Sequence, residues 1–285
     1  MTPSVSVVLR CRNEGRHLPA LLADLRAQRG DAAVEIVAVD SGSSDDSVAV
    51  LARHDVRVQH LDRARFSYGR SLNAGIRAAR GEVVVLLSAH CRPTSRDWLA
   101  RLTQPLAAAG VVGTFGRQVP ERGVNPIEAV TLARLFPEVG PSPVRFSNAN
   151  AALRRAAALA RPFDEEAPTA EDHLWALGLS PGERLVYVPA AGVTHTHPMS
   201  LRHWWRRFYL DGLAASYARH RHGTAMLWEE GAGTSRAHTA AAVLRRIAAE
   251  RRPGALAHLP AYATARLLAY ARGRRDGARR WSGKR

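Results

Sequence analysis

Short apolar runs rich in valine alternate with stretches of helical spacing through the first part of the chain. Val5–Leu9, Val34–Val39, Val56–Leu61 and Val83–Leu87 predict β-strands, and Leu18–Gln28, Ser47–Arg53 and Ser71–Arg80 predict the helices between them. Strands that are continuously apolar are buried on both faces, and crossover helices make such strands parallel. The pattern therefore predicts an α/β domain with a mainly parallel sheet flanked by helices, its ligand chemistry at the carboxyl ends of the strands. Further on, a helix-like stretch, Thr169–Leu179, carries Glu171 and Asp172 near its start. An alternating segment after Tyr187-Val188-Pro189 carries His195 and His197, and alternation places both histidines on one face.

The character changes at residue 200. Residues 1–199 hold 23 Lys+Arg against 20 Asp+Glu, a net of +3, while residues 200–285 hold 18 against 5, a net of +13 out of the chain's +16. In that tail, arginines stand beside Trp, Phe and Leu at helical spacing, as in Leu201–Tyr209, Val243–Ile247 and Leu267–Arg272. The division expected is a domain over 1–199 and a basic amphipathic helical extension over 200–285. Such helices suit an anionic bilayer surface; helices packed on the first domain with a solvated arginine face are the other reading.

With 46% hydrophobic and 23% charged residues over 285 positions, a disordered chain is excluded. The only cysteines, Cys11 and Cys91, are too few for a disulfide scaffold or a Cys-rich zinc site and read as reduced thiols. No run approaches ~20 apolar residues, and the N-terminus lacks the layout of a signal peptide. A cytoplasmic location, peripheral at the inner membrane face, is the expectation.

Two strand ends are chemically rich. Arg10-Cys11-Arg12-Asn13-Glu14-Gly15 follows the first strand, and Asp40-Ser41-Gly42-Ser43-Ser44-Asp45-Asp46 follows the second. The glycines and serines permit tight turns, and Asp45 or Asp46 can start the next helix. A dinucleotide oxidoreductase needs G-x-G-x-x-G after its first strand, which is not what stands there.

These segments, with Phe66–Arg70, Asn73, Gly75, Gly81-Glu82, Gly116-Arg117-Gln118, Asn125–Glu128, Phe146–Asn150, Pro162–Glu165, Glu171-Asp172, Trp175 and His195-Thr196-His197, make residues 4–215 resemble a family 2 glycosyltransferase of GT-A, Rossmann-like fold. Within that family the likeness is to bacterial rhamnosyltransferase-like enzymes. The resemblance implies an inverting transfer, in which an acceptor hydroxyl displaces a nucleoside diphosphate from an activated sugar, and a place in polysaccharide biosynthesis. It sets Asp40 against the pyrimidine ring, Arg12 and Glu14 on the flanking wall, and Arg70 and Asn73 near the diphosphate and sugar. It makes Asp172 the general base, with Glu171 in support.

The chain departs from the family pattern after the fourth strand. Where relatives carry an Asp-x-Asp or Gln-Asp-Ala sequence, this chain has Ser88-Ala89-His90-Cys91-Arg92-Pro93. His90 takes the place of the metal-binding Asp, and His195 and His197 match the distal histidine that completes the ion's shell. Two readings follow. Either these histidines hold a divalent cation (Mn2+ or Mg2+, imidazole suiting the former better), or the site is metal-independent and His90 and Arg92 stabilise the diphosphate directly. Cys91 is a further ligand or a small buried residue behind the loop, and Trp175 stacks on a sugar or belongs to the core.

The implied donor is a nucleotide sugar, with dTDP-rhamnose favoured by the rhamnosyltransferase likeness, although Ser67-Tyr68 departs from that pattern and leaves the sugar open. The charge of the tail points to a glycan or lipid-linked acceptor met at the membrane. Two rival classes remain: a catalytically inactive nucleotide-binding relative, and a basic nucleic-acid-binding protein. The second is not expected, because no nucleic-acid-binding motif accompanies the charge.

Overall fold

The valine-rich runs form β1 (Val5–Cys11), β2 (Val34–Asp40), β3 (Arg57–His60) and β4 (Val83–Ser88), which pair in parallel. The computed structural model describes residues 4–30, 34–142, 144, 146–195, 200–226 and 236–282. The sheet continues through β5 (Arg92–Pro93), β6 (Val111–Val119), β7 (Asn150–Arg154) and β8 (Arg184–Thr194), in the order β3-β2-β1-β4-β7-β6-β8-β5. β7 lies antiparallel between β4 and β6, β8 runs parallel to β6, and β5 is antiparallel on the edge. The register sets Cys11 opposite Asp40 and Arg10 opposite Ser88, so the loops after β1, β2 and β4 emerge side by side.

Contacts divide the chain into two units: Met1–Val119, Phe136–Glu166 and Glu171–His195 form the first, and Pro120–Leu135, Ala167–Ala170 and Thr196–Arg285 the second. In the first, α1 (Leu18–Arg26) buries Leu18, Leu21, Leu22 and Leu25, one helical stripe, in a core with Val5, Val7, Leu9, Val83 and Val85. Each such side chain contributes about 1.5–3 kcal/mol. α2 is Ser47–Arg53 as the pattern predicts.

α3 (Tyr68–Ala78) starts three residues before the apolar pattern, because the Ser67 hydroxyl accepts from Arg70 N–H and caps it. Its Gly75 lies directly on Val8 and Val39, where a methyl group would collide with both. The remaining helices of this unit are α4 (Trp98–Thr103), α6 (Arg155–Ala160) and α7 (Glu171–Leu177); α5 (Pro126–Leu135) belongs to the second.

β8 carries a bulge against β6: Gly116 pairs with Val188 but Gln118 with Val193. Asn150 pins it, its amide donating to Arg117 O and Ala191 O while its oxygen accepts from Trp98 Nε1. The bulge re-aims the two strand ends that carry Gln118 and His195.

The second unit is helical: α8 (Leu201–His222), α9 (Arg236–Ala249), α10 (His258–Thr264) and α11 (Tyr270–Trp281), with a π-helical stretch, Ala265–Ala269, before the last. α8 and α11 approach closely, Gly212 against Tyr270 and Gly273 against Tyr209, which only residues without a Cβ allow. Ile127 and Val130 of α5 share a core with Trp204, Val243, Ile247 and Ala265, and Arg252 bonds the carbonyls of Gly123 and Val124. The tail thus forms its unit together with an earlier piece of chain. Among the described residues no helix is long and apolar enough to cross a membrane.

Candidate functional site

The loops after β1 and β2 are zipped together by their polar side chains. Asn13, in the left-handed region at φ 56°, donates its N–H to Ser43 Oγ and accepts from Ser44 N–H at 2.8 Å. Glu14 N–H bonds Ser47 Oγ, and Gly15 N–H bonds Asp45. Asp40 is buried at the end of β2, its carboxylate accepting from Gly42 N–H, Ser43 N–H and the Ser43 hydroxyl. A carboxylate offers about four lone-pair directions, and here the loop itself uses most of them.

From this loop a polar chain crosses to β6 and β8. Glu14 Oε1 meets His90 Nδ1 at 3.0 Å, His90 Nε2 meets His195 Nε2 at 3.0 Å, and His195 Nδ1 meets Gln118 Oε1 at 2.6 Å. Gln118 Nε2 donates to Ser147 Oγ at 2.9 Å, with its oxygen toward the ring. Both outer partners are acceptors, so both Nδ1 atoms carry protons, and the two Nε2 lone pairs point at each other. With the rings in these tautomers, the two Nε2 lone pairs present a place for a metal ion between them.

The donor set fits a divalent ion. The two Nε2 atoms, 3.0 Å apart, are close enough that one ion could be held by both. Each ring donates its other N–H to an oxygen, as metal-ligating histidines do. The Sγ of Cys91 lies within 4.8 Å of both rings' ligand atoms. Burial holds its thiol well above the ordinary range, with Arg10 working against that shift.

The acid pair is organised by Asn148. Its Nδ2 donates to Glu171 Oε1 at 2.6 Å, its backbone N–H to Asp172 Oδ2 at 3.1 Å, and its Oδ1 accepts from Arg10 Nη2 at 2.9 Å. Asp172 Oδ1 also accepts from His173 N–H. Burial, then the Asp172 charge, pushes Glu171 up to about 7 against the pull of Arg10; burial also raises Asp172.

One segment, Arg10–Gly15, therefore touches three groups of expected site residues: Arg10 the acids, Glu14 the histidines, and Asn13–Gly15 the Asp40 loop. Other expected residues are engaged elsewhere. Arg70 and Asn73 bind the Phe163–Glu165 loop, Asn73 bonding both Phe163 N–H and Phe163 O. Arg92 pairs with Asp24 at 2.7 Å, Arg12 is exposed, and His197 lies outside the described residues. Trp175 is core: it is buried, stacked on Phe163, covered by Arg161, and bonded through Nε1 to Arg161 O. Arg10, Gln118 and Asn148 carried no expected role. The last two sit within motif fragments, Gly116–Gln118 and Phe146–Asn150, whose polar residues among apolar ones were the available signal.

Solved structures share this architecture. The mannosyltransferase PcManGT from Pyrobaculum calidifontis, in complex with GDP-Man and Mn2+, superposes with a TM-score of 0.65 at 22% identity, covering 100% of this chain and 89% of that one. Glucosyl-3-phosphoglycerate synthase from Mycobacterium tuberculosis, in complex with Mn2+, UDP and glucosyl-3-phosphoglycerate, gives 0.54 at 21% identity over 79% and 82%. The fold is the GT-A fold of glycosyltransferases.

Residues 6–157, more than half of the chain, match Glycosyl transferase family 2, and the chain belongs to that family. Its relatives include an uncharacterized glycosyltransferase of Mycobacterium tuberculosis, 34% identical over 122 residues (43% of this chain, 52% of that protein). The pre-mycofactocin glycosyltransferase of the same organism is 30% identical over 249 residues (78% and 49%). The chain spans about half the length of these curated relatives. None of these similarities singles out rhamnosyltransferases.

Proposed function

We propose that this chain transfers a sugar, with inversion, from a nucleoside-diphosphate donor to a hydroxyl of a glycan or lipid-linked acceptor. The observation that carries the reading is the Arg10–Gly15 segment, which links the Asp40 loop, the histidine pair and the acid pair. In this reading Arg12 and the loop that Asp40 shapes from within line the nucleotide site, and Arg70 and Asn73 shape the donor pocket through the Phe163–Glu165 loop. The neighbours crystallised with GDP-Man and with UDP support a nucleotide-sugar donor; dTDP-rhamnose remains the donor suggested by the sequence.

His90 and His195 would hold a divalent cation, with Glu14 and Gln118 orienting the rings. Such an ion, when bound, offsets the negative charge that develops on the departing diphosphate. Imidazole donors favour Mn2+ over Mg2+, and the neighbours solved with Mn2+ support the choice. The metal-free alternative gives Arg92 a share of the diphosphate, and the Arg92–Asp24 ion pair weighs against it. Asp172 accepts the acceptor's proton, with Glu171, buried beside it, in support.

The second unit supports a membrane-facing role. Leu201, Leu244, Leu256, Leu267 and Leu268 are exposed there, and Leu201, Arg202, Trp205 and Arg206 line a cavity of about 440 Å³. Apolar side chains beside arginines are what binding at an anionic lipid surface uses.

The decisive experiment is a screen of UDP-, GDP- and dTDP-sugars for slow hydrolysis, read as released nucleoside diphosphate with Mn2+ and with chelator. Release of one diphosphate that depends on Mn2+ is expected. No hydrolysis, together with no nucleoside diphosphate binding by calorimetry, overturns the reading.

A further inference from the structure

Arg10 reaches the acid pair from β1, and the loop before β7, α7 and α3 close around it. Its Nη2 donates to Asn148 Oδ1 at 2.9 Å, its Nη1 lies 3.8 Å from Glu171 Oε1, and its guanidinium carbon stands 5.4 Å from the centre of the Tyr68 ring on α3. Its side chain is 18% exposed, and its backbone is fixed by pairing with Val39 and Ser88 on both sides.

An amide has one accepting end and one donating end, and a neighbour that is only a donor decides which end faces which way. Arginine is such a donor. With Asn148 Oδ1 turned to Arg10, Nδ2 necessarily points at Glu171. The Asn148 backbone N–H meanwhile holds Asp172. Turned over, the same amide would set its oxygen against the Glu171 carboxylate, an arrangement of two acceptors.

We propose that Arg10 is a positioning residue for the acid pair, fixing the Asn148 amide and through it the orientation of Glu171. The pair's catalytic task rests on the transferase reading; the clamp itself does not. The charged groups facing Glu171 are Asp172 beside it on α7 and Arg10 on β1, and the Tyr68 ring covers the guanidinium. Arg10 is the cation that opposes the rise in both acids.

The test is carboxyl titration by 13C NMR on the full chain labelled at glutamate, with Glu171→Gln assigning the signal. Arg10→Met is expected to raise the Glu171 midpoint by about one unit or more. Arg10→Lys keeps the charge but replaces the rigid planar fork, with one nitrogen toward each partner, by a single ammonium on a flexible stem, so a smaller rise is expected. A midpoint unmoved in folded Arg10→Met overturns the proposal. If that variant does not fold, Arg10→Lys decides alone, and a wild-type midpoint in it is the overturning result. Hydrolysis of UDP-glucose and GDP-mannose by the wild type is followed in parallel. Its absence counts against the transferase reading and leaves the titration result standing.

Discussion

His90 and His195 face each other through their Nε2 atoms at 3.0 Å, each with its second nitrogen committed to an oxygen acceptor, Glu14 for one and Gln118 for the other. The pair offers two imidazole nitrogens to one cation. Mn2+ binding, followed by electron paramagnetic resonance of the free ion, is expected to disappear in His195→Ala. Gln118→Leu leaves both ligands in place but removes one ring's orienting partner, and about a 10–100-fold weaker affinity is expected. Unchanged Mn2+ binding in His195→Ala removes the pair from this role.

The Glu171 carboxyl gives a pH dependence whose sign follows from its upward shift. Its folded value of about 7 lies above the ordinary 4.5, so the native state holds a proton that the unfolded state releases. Stability is therefore fully present below about pH 4.5 and declines as pH rises toward 7. Glu171→Gln mimics the protonated form. Its melting temperature should match the wild type at pH 4.5 and exceed it at pH 7.5, at roughly 2–4 °C per kcal/mol. Parallel melting curves across that range would contradict the assignment.

Asp172 is assigned the proton of the acceptor hydroxyl. Asp172→Asn keeps shape and size and removes that capacity, so transfer should fall by at least about 100-fold, the lower end of general-base contributions. Calorimetric affinity for the nucleoside diphosphate should stay within a factor of a few. Wild-type turnover in the variant would place the base elsewhere.

Gly75 tests the packing beneath the site. A methyl group there meets Val8 of β1 and Val39 of β2, and Gly75→Ala should cost about 1–3 kcal/mol by overpacking, although alanine is the better helix former. Denaturant unfolding reads this directly; a stabilised variant would show that α3 can lift away from the sheet without penalty.

Leu267 and Leu268, 60% and 57% exposed, test the membrane-facing role. The double change Leu267→Asp with Leu268→Asp should reduce flotation with phosphatidylglycerol vesicles several-fold and leave the melting temperature unchanged, since surface positions move stability little. Equal flotation of both proteins, or binding of duplex DNA in place of the vesicles, would turn the reading toward another partner.

Much of the frame was legible along the chain because burial on both faces demands continuous apolar strands, whatever their partners. The valine-rich runs follow from that local rule, the extent of α2 from its helical spacing, and the ends of β1 and β2 from their turn-forming residues. Motif fragments also pointed to Glu14, Asp40, His90, Glu171, Asp172 and His195. Trp175 shows where this stops. Its ring has the same composition whether it stacks on a sugar or on Phe163, and only the fold places Phe163 and Arg161 on it.

The partners of the site residues depended on tertiary structure, since each contact joins positions far apart in the chain. Arg10 meets Asn148 across 138 residues and His90 meets His195 across 105, distances over which no periodicity carries information. The same holds for Ile127 and Val130, which share a core with Trp204 and Val243. An amphipathic face announces that it will be buried without saying against what. The sequence by itself determined the element types, the basic tail and the kinds of side chain available for chemistry. The fold decided which of those side chains meet, because strand register and the β8 bulge, set by long-range pairing, choose each one's neighbour.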